Sequence, residues 1–112
     1  MMAPGENLSS AQAIQLAENF RKKLSDSLDE QVKVILFGSQ ARGEAAEESD
    51  IDVLVVLPDM HKRTLDIVLE IAWQVGFEAG KVISVVPAAN EEMELLSAST
   101  FFQAVQREGI PV

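Results

Sequence analysis

With 112 residues, nine of them basic and eighteen acidic for a formal net charge of −9, the chain is large enough for one domain with a single core. The acidic balance argues against direct binding to nucleic acid, which needs clustered Lys and Arg to neutralise phosphates; a nucleotide whose charge a metal offsets stays compatible. The absence of cysteine excludes a disulfide framework and a thiolate metal site. The opening Met-Met-Ala-Pro-Gly-Glu-Asn lacks the basic and apolar regions of a secretory signal, and no apolar run approaches membrane-spanning length. The expectation is a soluble, cytoplasmic protein with no membrane association.

In chain order, residues 1–7 read as a disordered tail and residues 8–112 as a single domain. Ser9-Ser10-Ala11-Gln12 has the spacing of a capping box, and Leu16, Phe20 and Leu24 follow at i, i+4 steps, so an amphipathic helix is expected to about Leu28. Its Arg21-Lys22-Lys23 run reads as a solvated face. Val32 to Phe37 has the β-branched and aromatic content of a buried strand, and it stops at Gly38, where a backbone without a Cβ can turn sharply. Ser39 stands where a short helix would begin: it is suited to cap that helix, and the free N–H groups of such a turn suit a phosphate. Arg42, one turn on, has two readings, a phosphate ligand or a partner for an acidic neighbour.

After Gly43 comes an acidic loop, Glu44 to Ser49, placed to move over the site, and then Ser-Asp-Ile-Asp-Val-Leu-Val-Val-Leu. Side chains alternate across a strand, so Asp50 and Asp52 emerge on one face with Ile51 on the other. Two carboxylates so close repel and raise each other's pKa, which asks for a divalent cation between them; magnesium fits, since it takes one or two carboxylates and completes its shell with water and substrate phosphate. Past Pro58, a linker with His61, Lys62 and Arg63 leads into a helix from about Thr64 to Val75. His61 has no second His or Cys to form a zinc set and receives no role. Gly76 and Gly80 bracket the connection to a third strand, Val82 to Val86, ended by Pro87. Asn90 is expected to cap a helix with Glu91, Glu92 and Glu94 at the positive end of its dipole, and Thr100 with Gln103 to form a capping box for a last helix closed by Gly109. Trp73 and the phenylalanines are assigned to core or partner surface, not to a base-stacking platform, because such platforms come with basic grooves. The order is αβαβαβα, an α/β (α+β) domain with a small mixed sheet of about three strands.

Gly38-Ser39-Gln40-Ala41-Arg42-Gly43 followed by Ser49-Asp50-Ile51-Asp52 resembles the signature of the DNA polymerase β-like nucleotidyltransferase superfamily, in its small single-domain branch, the minimal nucleotidyltransferases. Glycine-serine alone would mean little; with Ala-Arg-Gly and Ser-Asp-x-Asp at this spacing a chance match is improbable, and the resemblance covers most of the chain.

The resemblance implies transfer of a nucleoside monophosphate from a magnesium-bound nucleoside triphosphate, ATP or another, to a hydroxyl on a protein or small molecule. Asp50 and Asp52 would be the metal ligands and catalytic carboxylates, with two magnesium ions in the nucleotide complex, and Gly38, Ser39 and Arg42 the nucleotide-binding residues. It further implies a separately encoded helical partner of the HEPN ribonuclease toxin type, with this chain as antitoxin; a homo-oligomer is also compatible. One departure stands out. Relatives carry a third carboxylate on the following strand, and the apolar pattern Val82-Ile83-Ser84-Val85-Val86 aligns Ser84 with it. The alternative function is therefore a nucleotide-binding regulatory module that kept the fold and lost the chemistry.

Overall fold

The computed structural model describes residues 6–43 and 50–112. Residues 1–5, most of the expected tail, and the expected loop Glu44–Ser49 lie outside the described residues. Helix α1 spans Glu6–Leu28. It starts upstream of Ser9 and takes in Glu6 and Asn7 from the stretch expected as tail, where the sequence has neither proline nor glycine to break a helix. Ala13, Ala17, Phe20 and Leu24 form its buried stripe, and each large side chain such as Phe20 or Leu24 contributes roughly 1.5–3 kcal/mol by leaving water.

Strand β1, Lys33–Phe37, runs through Gly38 into the one-turn helix α2, Ser39–Arg42. Strand β2, Ile51–Leu57, returns antiparallel to β1 with Phe37 opposite Asp52. Helix α3, Lys62–Ala79, then crosses over to β3, Ile83–Ala89, which pairs parallel to β2. A 3₁₀ turn (Asn90–Glu92), helix α4 (Met93–Leu96), helix α5 (Thr100–Glu108) and strand β4 (Ile110–Pro111) complete the chain. The sheet order is β3-β2-β1-β4, four strands in a mixed arrangement packed with helices.

Several boundaries differ from the sequence reading for identifiable reasons. Gly76 does not end α3: the helix continues to Ala79, and Gly80 at φ 68° closes it with the paired bonds Lys81 N–H to Gly76 O (2.8 Å) and Gly80 N–H to Phe77 O (3.2 Å). Pro87 does not end β3. The bond from Ile51 N–H to Val82 O (2.9 Å) turns the even-numbered residues of β3 toward β2, so Pro87 faces the sheet's outer edge, where its missing N–H removes no ladder bond. Ser99, not Thr100, caps α5, its hydroxyl accepting the Phe102 N–H at 3.0 Å. Asn90 opens a 3₁₀ turn, with Glu92 accepting the Ala89 N–H at 3.2 Å. The strand β4 is an addition to the expected order.

The alternation along the strands creates two cores. Val34 and Leu36 of β1, Ile51, Val53, Val55 and Leu57 of β2, and Ile83 of β3 pack with the stripes of α1 and α3. The opposite face, Ile35, Leu54 and Ala88, is covered by Phe102 and Val105 of α5, with Phe37, Val86, Met93 and Leu96 beside them. Asp52 and Ser84 alternate out of phase with the first set, so they lie on this second, thinly covered face.

Candidate functional site

The site grows from the end of β1. Gly38 has φ 78° and ψ −158°, a conformation that is almost exclusively glycine's, and it holds the N-cap position of α2 with no side-chain cap. This corrects the expectation for Ser39: it is the first helical residue and does not cap, because the turn is made one residue earlier. Both are half-buried, and Gln40 behind them is buried. The turn presses directly on the second strand. A Cβ at position 38 would lie 2.5 Å from Asp52 Oδ2, so the absent side chain is what lets backbone and carboxylate approach.

Asp50 and Asp52 stand together as the alternation requires. Burial first, and then the neighbouring charge of Asp50, push the Asp52 carboxyl above its ordinary value of 3.8. Ser84 is the residue of β3 opposite Asp52, and its hydroxyl donates to Asp50 Oδ2 at 3.3 Å. Ser84, singled out from the apolar pattern of the third strand, thus lies on the same face as the carboxylates. Among the described residues, no third His, Cys, Asp or Glu joins this pair. The donor set is two carboxylates, one of them partly desolvated beside a like charge, and that chemistry fits a hard divalent cation coordinated by oxygen.

Arg42 turns toward the C-terminal helix. Its Nη1 lies 3.7 Å from Glu108 Oε2, the acidic-partner half of its two readings, and the contact ties α2 to α5. As an exposed pair it contributes about 0–1 kcal/mol. Phe101 pairs with Val105 at i, i+4 spacing in the sequence, but in the structure Val105 is buried and Phe101 is half exposed; Glu108 was not marked by the sequence. The Phe101 ring stands edge-to-face with Phe37, centroids 5.5 Å apart at 88°, and Phe37 is the neighbour of Gly38 in sequence and of Asp52 across the ladder. Strand alternation was a usable signal for Phe37; nothing local pointed to Phe101, which arrives from another element. The stacked pair Trp73 and Phe77 on α3 (5.0 Å, 15°) is exposed together with Leu69 and Val82, but α3 packs on the other face of the sheet.

A family model described as a nucleotidyltransferase domain matches residues 17–106. A proposed protein adenylyltransferase of Methanocaldococcus jannaschii is 44% identical over 70 residues, 56% of this chain and 46% of that protein. A bifunctional uridylyltransferase/uridylyl-removing enzyme of Burkholderia vietnamiensis is 40% identical over 63 residues, 53% of this chain and 7% of that enzyme. The chain thus spans less than half the length of these relatives. A crystal structure of a proposed nucleotidyltransferase from Sulfolobus solfataricus superposes with TM-score 0.63 at 16% identity, covering 98% of this chain and 87% of that one, a likeness of fold. A toxin-antitoxin structure with AMP-PNP superposes with TM-score 0.56 at 27% identity, covering 84% of this chain and 70% of that one.

Proposed function

This chain belongs to the nucleotidyltransferase domain family, and on that premise we propose that it transfers a nucleoside monophosphate, AMP in the first instance, from a nucleoside triphosphate to a hydroxyl on a protein or small molecule. The observation that carries the reading is the packing of the Gly38 turn against Asp52, which joins a phosphate-sized backbone turn to a carboxylate pair. Asp50 and Asp52 would hold magnesium, which when bound would supply charge neutralisation to the triphosphate and to the leaving pyrophosphate. The N–H groups and hydroxyl at Gly38 and Ser39 take the terminal phosphates, and Arg42, held by Glu108, lies one turn further on. The acceptor oxygen bonds to the α-phosphorus as the α–β anhydride bond breaks, pyrophosphate leaves, and the acceptor's proton passes to solvent, since Ser84 has no carboxylate to receive it.

A partner protein supplies or contains the acceptor. The toxin-antitoxin likeness supports a partner protein; that the partner is a helical HEPN-type toxin, with this chain as antitoxin in the cytoplasm, is what the sequence resemblance adds to the proposal, and the exposed Leu69, Trp73, Phe77 and Val82 are an apolar patch of the kind partners cover. No described helix is long and apolar enough to cross a membrane.

The second reading, a nucleotide-binding regulatory module with little turnover, is favoured by one observation: Ser84, a residue without a carboxylate, faces Asp52 and bonds to Asp50, at the position where the sequence resemblance implies a third carboxylate. One experiment tests both. The protein is incubated with magnesium, a cognate cell extract and each nucleoside triphosphate labelled at the α-phosphate. A single labelled acceptor that requires magnesium and disappears in Asp52→Asn supports transfer. Nucleotide binding without any label supports the regulatory module, and label transfer indifferent to magnesium and to Asp52→Asn overturns the site assignment.

A further inference from the structure

The chain has five phenylalanines and one tryptophan, and their positions can be sorted by the face of the sheet they serve. Phe20 and Phe102 are fully enclosed, at 0% and 2% exposure. Trp73 and Phe77 are exposed but belong to α3, which packs on the sheet face opposite to Asp52. Only Phe37 and Phe101 are left on the side of the carboxylates. Phe37 is the Cα partner of Asp52 across the antiparallel ladder, and directly opposed residues project their side chains to the same face about 5 Å apart. Phe101, on the first turn of α5, meets Phe37 edge-to-face and is still 49% exposed. A large apolar ring half in water, fixed in orientation by a second ring that itself adjoins the carboxylates, offers a flat surface at low entropic cost to whatever binds there.

We propose that Phe101, held by Phe37, is the surface on which the base of the bound nucleotide stacks, so that this site takes a nucleoside triphosphate through its base as well as its phosphates. The inference rests on the nucleotidyltransferase reading above and goes beyond it by naming what the base touches. It also revises, for this one residue, the assignment of the phenylalanines to core or partner surface. A groove of basic residues is needed to track a polynucleotide backbone, but not to stack one base of a nucleotide whose phosphates are held elsewhere. An aromatic face is tolerant of base identity, because every base has a π-face.

The test separates base from phosphate. Calorimetry in magnesium compares α,β-methylene-ATP, whose α–β bridge is not cleaved, with inorganic tripolyphosphate, which has no base. Three variants are used: Phe101→Ala, Phe101→Leu, which keeps apolar packing against Phe37 but has no aromatic face, and Phe101→Trp. Loss of the face should weaken the nucleotide about tenfold or more in both Ala and Leu variants, leave tripolyphosphate within about twofold, and be restored by Trp. An unchanged ratio of the two affinities in Phe101→Ala and Phe101→Leu overturns the proposal, as does an equal loss for both ligands, the signature of a ring that only holds α5 in place. Wild-type protein that binds neither ligand overturns the nucleotidyltransferase site itself, a result distinct from the other two.

Discussion

Gly38 and Asp52 are packed so closely that a methyl group on the first would lie 2.5 Å from a carboxylate oxygen of the second. The backbone turn that presents N–H groups and the strand that presents carboxylates are thereby locked in one relative position. Gly38→Ala adds two costs, the glycine-only backbone conformation at φ 78° and the collision itself. The first is roughly 1–3 kcal/mol. Urea unfolding should show a loss of at least this size, and a double-mutant cycle with Asp52→Ala should recover part of it, because the smaller side chain vacates the contested volume. Strict additivity of the two changes would mean that the contact is not made in solution.

Asp52→Asn should move metal-free stability and ligand binding in opposite directions. The carboxyl of Asp52 is held above 3.8 by burial and then by Asp50, so charging it at neutral pH works against the fold. The amide removes that charge without changing shape, and the variant should melt at or slightly above the wild type in EDTA. Its magnesium-dependent nucleotide binding should fall markedly in calorimetry, because a charged ligand is gone. Metal-independent binding untouched by the substitution would remove Asp52 from the site.

The same residue sets a pH dependence. With its folded pKa raised, Asp52 binds more protons folded than unfolded between 3.8 and the higher folded value. Its contribution to stability is fully present below 3.8 and is lost as pH rises through the folded value. The difference in stability between wild type and Asp52→Asn, followed in EDTA from pH 3 to 7, should therefore shift against the wild type as pH rises. Magnesium must displace that proton, so metal affinity should already decline on acidification at a pH above that of an ordinary aspartate. A flat difference across this range would contradict the desolvated environment.

A second aspartate behaves in the opposite sense. Asp59 accepts the Thr64 hydroxyl at 2.7 Å and the His61 N–H at 2.9 Å, and these bonds, the Thr64 one first, hold its carboxyl below 3.8. What this junction between β2 and α3 contributes is present above 3.8 and is lost as pH falls through the depressed folded value. Thr64→Val should bring the Asp59 titration back toward 3.8 in an NMR pH series and soften the acid limb of the unfolding curve. An unmoved titration would mean that the hydroxyl is not the main partner.

Much of this architecture was legible because its signals are local and periodic. The strand-turn-helix at Val32 to Arg42 is written in β-branched residues and a glycine, and the shared face of Asp50 and Asp52 follows from a period of two. That Ser84 shares the face of the carboxylates was readable from the apolar pattern once the resemblance was in hand, since a one-residue slip would turn Ile83 away from the core; the parallel pairing with Asp52 was not. Strand β4 was not legible: two residues, one of them proline, carry no period, and their pairing with Ile35 and Leu36 is decided by where α5 ends. The length of α3 was underestimated because Gly76 reads as punctuation, whereas here the missing side chain lets the Lys81 carbonyl pack against the helix. Phe101 and Glu108 of α5 meet Phe37 and Arg42, and such a meeting between distant segments leaves no trace in local spacing.

Ser84 carries the sharpest prediction for turnover. It lies where a third carboxylate would meet Asp50 and Asp52, and its hydroxyl is already within 3.3 Å of Asp50, so the position is spatially correct and only the chemical group differs. A serine hydroxyl cannot accept the acceptor's proton at neutral pH, and general-base assistance contributes about 10²-fold to 10⁴-fold to such a step. The wild type should therefore bind magnesium and nucleotide yet transfer slowly, and Ser84→Asp should raise single-turnover transfer toward that range with little change in nucleotide affinity. The added charge has a physical consequence of its own: in EDTA three carboxylates crowd one face, so the variant should lose stability without metal and regain it with magnesium. That metal-linked stability distinguishes a carboxylate that has joined the site from one that points elsewhere. Fast transfer by the wild type would mean that the proton acceptor comes from the Glu44–Ser49 segment or from a partner, and a Ser84→Asp variant with intact binding, magnesium-linked stability and no gain in rate would show that general-base assistance is not what limits this chain.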